Sequence, residues 1–124
     1  MAAFKKIEEI QAWQKARGVT KMVYELTATG DIGRDFGLRD RLRRACVSVM
    51  ANIAEGFGRR SDKEFARYLD IAQGSACEAQ SHLYVTLDLG YVRRDRFDEL
   101  YTALDDLGRM IYALVQHLRR DTKR

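Results

Sequence analysis

Eight basic residues stand in two runs around one short segment. Arg39, Arg41, Arg43 and Arg44 precede it, and Arg59, Arg60, Lys63 and Arg67 end or follow it. The chemistry this residue type offers is phosphate binding, because guanidinium presents a planar fork of donors that matches phosphate oxygens. The segment is Ser48-Val49-Met50-Ala51-Asn52-Ile53-Ala54-Glu55-Gly56-Phe57-Gly58-Arg59. Its polar residues Ser48, Asn52, Glu55 and Arg59 are three or four apart and extend the row begun by Arg41 and Arg44. That spacing lines up side chains on one helix face. Two readings of the row are open. It is a solvent face with an ordinary Glu55–Arg59 i,i+4 pair, or it is a polar lining between subunits. In the second case a hydrogen-bonded Asn, Glu and Arg set fixes register, and Ser48, Asn52, Glu55 and Phe57 are the candidate oligomer-interface residues.

The position of the charge matters more than its size. The 124 residues carry a formal net charge of +4. Residues 34–67 hold nine Arg or Lys against five acids, which matches the whole excess, since residues 1–33 give +1 and residues 68–124 give −1. Such asymmetry fits a polyanion-binding surface, and it equally fits a solvated helix face with arginines paired to acids. No base-reading motif is present, so any nucleic-acid contact is expected to address backbone and shape and to be salt-sensitive. Helix N–H groups at the start of a helix beginning near Ser61 add to the donors around Arg59 and Arg60. Tyr68, Tyr91 and Trp13 are either base-stacking platforms or, as is more usual for such residues, core and interface aromatics.

Enzymatic chemistry finds little support. His82 and His117 are the two histidines, and neither sits in a motif that pairs it with a nucleophile. Cys46 and Cys77 fall within helical segments, where packing is the expected role. A di-iron bundle needs a Glu-x-x-His pair on each of two helices; Glu78 and His82 are four apart and have no counterpart. A Walker-type glycine loop is absent. The expectation is a non-enzymatic protein with no cofactor and no metal.

These residues must be positioned by helices. Hydrophobic residues make up 46% and charged residues 32% of the sequence, and there is no proline, so the strongest helix breaker is missing. Four helices are expected in one domain spanning residues 1–124. The first runs over 7–29 with a stripe of Ala12, Ala16, Val19, Val23 and Leu26. Gly30, Gly33 and Gly37 then mark a loop. The second runs over 38–57, with Gly56 and Gly58 ending it through their tolerance of the left-handed conformation. Ser61-Asp62-Lys63-Glu64 is a capping box for the third, which stops at Gly90. The fourth, from about residue 94 to 120, carries Phe97, Leu100, Leu104, Leu107, Ile111, Leu114 and Leu118 in steps of three and four, a heptad seam typical of bundles. Gly18, Gly74 and Gly108 lie inside helices, with close helix approach as the expected reason, especially around Gly74-Ser75-Ala76. Short loops imply antiparallel neighbours. No apolar run approaches the roughly 18–20 residues that span a membrane, the first six residues lack a signal-peptide core, and two cysteines make no disulfide framework. A reducing cytoplasm is expected.

In the second helix Leu38, Leu42, Ala45, Cys46, Val49, Met50, Ile53, Ala54 and Phe57 cover about half the circumference or more, wider than the roughly 100° a one-sided helix needs. This width points to burial on two sides, one in the bundle and one against a second subunit.

The protein resembles the four-helix-bundle proteins linked to intervening sequences of bacterial 23S ribosomal RNA. The resemblance runs from Trp13-Gln14-Lys15-Ala16 through Gly37-Leu38, Arg43-Arg44-Ala45 and Ser48. It continues through Asn52-Ile53-Ala54-Glu55-Gly56-Phe57-Gly58-Arg59, Glu64-Phe65, Arg67-Tyr68-Leu69, Ala72, Gly74-Ser75 and Glu78, to Leu89-Gly90-Tyr91. Members commonly have proline where Met50 stands here. The resemblance implies an antiparallel up-down four-helix bundle that assembles into a ring-like homo-oligomer, a pentamer. More distantly similar are the accessory proteins of diversity-generating retroelements, which join a reverse transcriptase to nucleic acid through a basic surface. The resemblance suggests RNA contact, and with the eight basic residues named above it makes binding of RNA or DNA the leading expectation. The alternative is a protein-interaction scaffold that holds a protein partner and makes no direct nucleic-acid contact.

Overall fold

Among the described residues, four long helices and one short one make up the fold, and several of their boundaries have a local cause. The computed structural model describes the backbone of residues 4–122 and the side chains of residues 4–120; residues 1–3 and 123–124 of the expected domain lie outside this range. A single 3-10 turn, Ile7–Glu9, leads to α1 (Gln11–Leu26), α2 (Gly30–Arg34), α3 (Phe36–Gly58), α4 (Asp62–Asp88) and α5 (Arg94–Thr122). Strands are absent among the described residues.

Several boundaries differ from the sequence expectation. α1 starts at Gln11 rather than Ile7, because Ile10 takes an extended conformation and buries its side chain fully. It stops at Leu26, where Thr27 turns its hydroxyl onto the Val23 carbonyl at 2.7 Å. The expected glycine loop contains α2, entered through Gly30 at φ 74° and anchored by buried Ile32. α3 begins two residues earlier than expected because Asp35 caps it, its Oδ1 accepting from the Leu38 N–H at 3.3 Å.

The end of α3 corrects a further expectation. Gly56 and Gly58 both stay helical, and the left-handed residue of the turn is Arg60, at φ 58°. Gly56 is instead a packing residue. A Cβ there would meet the Tyr68 Cβ at 2.8 Å and the Phe65 carbonyl at 3.1 Å. Ser61 caps α4 by accepting from the Glu64 N–H at 3.3 Å, while the Glu64 carboxylate turns to Arg67 rather than back to the cap.

α3 packs on α4, α4 on α5, and α1 on both α3 and α5. Ser48 meets Ser75 midway along α3 and α4, and Gly56 meets Tyr68 near their shared turn. Arg119 at the end of α5 reaches Asp70 at the start of α4. The interior is apolar: Phe97, Leu100, Leu104, Leu107, Ile111 and Leu118 of α5 are all no more than 2% exposed. The seam departs from the strict heptad at one point. Val115 is buried where Leu114 was expected, and Leu114 is half-buried, because a 3.6-residue helix drifts against a 3.5-residue repeat. Within one subunit α3 packs on both α1 and α4, which buries Leu42, Ala45, Cys46, Val49 and Ile53 of its wide apolar arc, while Leu38, Met50, Ala54 and Phe57 stay half-buried.

Helical glycines split into two kinds. A Cβ at Gly108 would lie 3.3 Å from Gln73 Nε2, whereas one at Gly74 or Gly18 would meet nothing within 4 Å. Close approach is therefore not the reason for Gly74; Ser75 and buried Ala76 make the contact instead.

Candidate nucleic-acid interface

The eight basic residues divide by what their side chains already hold. At the start of α3, Arg43 is half-buried. Its Nε donates to Thr27 Oγ1 at 2.8 Å, and its guanidinium lies 4.4 Å from the centre of the Tyr24 ring. Arg39 donates through Nη1 to the Gly33 carbonyl at 3.2 Å, pairs with Asp40 at 3.0 Å and covers the Phe36 ring. These two arginines pin α3 to α1 and α2. Arg41 and Arg44, on the outward side of the same helix, are exposed. Neither has a carboxylate within 4.0 Å among the described residues.

At the far end of α3 the pattern repeats. Arg59 pairs with Glu55 at 3.2 Å and donates through Nη2 to Tyr68 Oη at 2.8 Å. Arg67 pairs with Glu64 at 3.2 Å, and its hydrogen bond holds the Glu64 carboxyl below the usual carboxylate range. Both guanidinium groups stack on Tyr68, at 5.2 and 4.7 Å. Arg60 and Lys63 are exposed and have no ion pair among the described residues. Among the described residues, four of the eight cations are thus engaged by the protein, and four are free.

The free cations do not form one patch. Arg44 and Arg60 are sixteen residues apart along α3 and its turn, about 24 Å at helical rise. The exposed or half-buried positions between them include Val47, Ser48, Met50, Ala51, Asn52 and Glu55, and the one cation of the stretch, Arg59, is paired with Glu55. The continuous basic segment of the sequence becomes two patches near opposite ends of the bundle.

The polar row between the patches closes on α4 of the same subunit. Ser48 Oγ lies 2.9 Å from Ser75 Oγ. Asn52 Nδ2 donates to the Ser48 carbonyl at 2.9 Å and to its hydroxyl at 3.1 Å. Phe57 is half-buried against the core and meets Phe65 edge-on at 6.3 Å. Of the interface residues read from sequence, Glu55 alone is exposed, and Arg59 holds it.

The aromatic residues are committed as well. Tyr91 Oη donates to Asp35 Oδ2 at 3.1 Å, and Trp13 is half-buried with Arg17 over its ring. His82 lies 3.1 Å from Glu78. Burial pushes the Cys46 thiol up to about 12, while Cys77 is exposed. Among the described residues, no group of three or more His, Cys, Asp or Glu is placed to hold a metal ion, and no helix is long and apolar enough to cross a membrane. Sequence reasoning passed over Gln73 and Gln80, whose amides line a groove between α4 and α5. Nothing in their spacing distinguishes them from ordinary surface glutamines.

A family model for 23S rRNA-intervening sequence proteins matches residues 8–113. Among solved structures, the protein is similar to one of unknown function of the S23 ribosomal protein family from Bacteroides thetaiotaomicron. The two share 18% identity and superpose with a TM-score of 0.78, over 86% of this chain and 96% of that one. At that identity the likeness establishes the fold. No curated protein matches the sequence.

Proposed function

The protein belongs to the 23S rRNA-intervening sequence protein family, and from that premise we propose a non-enzymatic helical-bundle protein that binds RNA through phosphate contacts. The observation that carries this reading is the state of Arg41 and Arg44. They stand about one turn apart on the outer side of α3, exposed and, among the described residues, without an acid. By contrast Arg67, Arg94, Arg96, Arg109 and Arg119 on α4 and α5 each lie within 4.0 Å of a carboxylate. A guanidinium already paired with an acid has much of its field cancelled, whereas a free one presents all of it to a polyanion. DNA offers the same backbone chemistry and is the secondary ligand of this reading.

The assembly we propose is an antiparallel up-down bundle repeated in a ring-like homo-oligomer, a pentamer in the cytoplasm. Its support is the strip between the two basic patches. Val47 on α3 and Ile71 on α4 are each 43% exposed, with Ala51 and Gly74 also exposed. A second copy covering this strip would bury its apolar side chains. A net charge of +4 per subunit then becomes about +20 per pentamer, a strong attractor for nucleic acid.

The test is a titration of purified, nucleic-acid-free protein against a labelled structured RNA across a salt series, with the Arg41→Gln/Arg44→Gln double variant beside it. The expected result is a linear fall of log affinity with log salt, its slope shallower by about two in the variant. No binding at low salt overturns the reading and favours a protein-interaction scaffold.

A further inference from the structure

A groove between α4 and α5 offers a chemistry unlike that of the arginine patches. It encloses about 310 Å³ and is lined by Gln73, Cys77 and Gln80 of α4 and by Gly108, Arg109 and Tyr112 of α5, among others. Two of these lining residues carry a fully buried amide atom, Gln73 Oε1 and Gln80 Nε2, that has no hydrogen-bond partner among the described residues. One is an acceptor and the other a donor. Buried polar atoms are nearly always paired, and an unpaired one is costly. Gly108 helps create the arrangement, since its missing Cβ leaves room for the Gln73 amide. The terminal torsion of glutamine is broad, so each amide turns toward the groove at little cost when a partner arrives.

The spacing and charge restrict what that partner is. Gln73 and Gln80 are seven residues apart on one face of α4, about 10.5 Å at helical rise. Three residues of extended peptide span about 10 Å, so one backbone N–H and one backbone carbonyl at that separation meet the two amides. Arg109 is paired closely with Asp105 and lies 3.9 Å from Asp106, which leaves the groove no free cation for a phosphate among the described residues. Ala76 and Leu104 make the floor apolar, and the Tyr112 ring, 62% exposed, stands at the rim. An exposed tyrosine beside an apolar slot is a usual anchor for peptide.

We propose that the α4–α5 groove binds an extended, uncharged peptide segment of a partner protein, with Gln73 accepting from a backbone N–H and Gln80 donating to a backbone carbonyl. This site does not depend on RNA binding and is separate from Arg41 and Arg44.

Cys77 allows a direct test, because it is exposed within the groove, whereas Cys46 is buried and inert at neutral pH. The probes are disulfides between cysteamine and acetylated tetrapeptides of glycine, alanine and valine bearing a thiol linker. Cysteamine disulfide alone is the reference. The whole protein is equilibrated with each probe under mildly reducing conditions, and Cys77 labelling is read by mass spectrometry. The expected result is about tenfold enrichment of peptide over cysteamine, reduced several-fold when a central amide is replaced by an ester. Gln73→Met and Gln80→Met should reduce it likewise while keeping the melting temperature, since each removes an unpaired polar atom at similar volume. Equal labelling by all probes overturns the proposal, as does enrichment indifferent to the ester and to both variants. A thiol-bearing ribonucleotide that labels better than the peptides also overturns it. So does a Cys77 that even cysteamine fails to label in the native assembly, which would mean that a second copy covers the groove.

Discussion

Gly56 of α3 lies directly against Tyr68 of α4, so closely that a Cβ on residue 56 would stand 2.8 Å from the Tyr68 Cβ. On its other side Tyr68 is gripped by Arg59 and Arg67. Two turns before Gly56, the Ser48 hydroxyl meets the Ser75 hydroxyl and accepts from the Asn52 amide one turn further on. The segment 48–59 therefore works first as the clasp between α3 and α4. Its small residue admits the opposing helix, its Ser48 hydroxyl pairs with Ser75 across the contact while the Asn52 amide supports it from within α3, and its terminal arginine closes the turn.

That clasp predicts opposite outcomes for two glycines. Gly56→Ala forces a methyl against the Tyr68 Cβ and the Phe65 carbonyl and should cost about 1–3 kcal/mol, lowering the melting temperature by several degrees for a protein this size. Gly74→Ala meets open space on a helical, exposed position and should add about 0.5–1 kcal/mol. Thermal and urea denaturation of the two variants compare them directly. Light scattering on Gly74→Ala adds a check on assembly, since a methyl inside a subunit contact would change the particle mass.

Thr27 and Arg43 form a second structural joint. The Thr27 side chain is fully buried; its hydroxyl donates to Val23 O and accepts from Arg43 Nε. Thr27→Val removes the acceptor and leaves the guanidinium N–H without its partner, so a loss of about 1–2 kcal/mol is expected. Thr27→Ser, which keeps the hydroxyl, should lose clearly less. Urea unfolding midpoints of both variants decide the matter.

Periodicity made much of this fold legible and had little to say about its junctions. The α5 seam was readable because Phe97 through Leu118 repeat at helical spacing, and the α4 start because Ser61 and Glu64 stand three apart. α2 was not readable, since five residues with two glycines give no period, and the burial of Ile32 and the Arg39 contact to the Gly33 carbonyl that hold them are tertiary. Gly56 was read as a helix stop because a glycine's tolerance of positive φ and its lack of bulk look identical in sequence. The same limit applies to the basic residues. Arg41 and Arg43 are two letters apart, yet 200° of helical rotation sends one to solvent and the other onto Thr27 and Tyr24. Knowing which arginines are free required knowing where α1 lies.

Alkaline pH should weaken the fold in a defined window. Burial raises the Cys46 thiol from its ordinary 9.0 to about 12. Between those values the folded protein keeps a proton that the unfolded protein releases, so stability is full below about 9 and falls as pH rises toward 12. The slope is at most about 1.4 kcal/mol per pH unit from this group. Tyr91, held up by its hydrogen bond to Asp35, and Tyr101, beside Tyr84, shift in the same direction. Cys46→Ala isolates the thiol: its stability should change less steeply from pH 9 upward than that of the parent protein in chemical denaturation.

The division of the eight cations into free and engaged predicts separable effects on RNA binding. Arg41→Gln/Arg44→Gln and Arg60→Gln/Lys63→Gln each remove two unpaired charges and break no contact within the described residues. Each pair should therefore lower the salt slope by about two while leaving the melting temperature in place. The patches lie about 24 Å apart along the helix, beyond direct coupling, so their effects on binding free energy should add. Arg39→Gln and Arg43→Gln should behave in the opposite way. They lower the melting temperature, because Gly33 O and Thr27 Oγ1 lose their donors, and they leave the salt slope nearly unchanged. Filter-binding titrations across salt, paired with thermal melts of the same preparations, read both properties. A slope that responds to Arg43 as strongly as to Arg41 and Arg44 would mean that phosphate contact does not follow the free guanidinium groups.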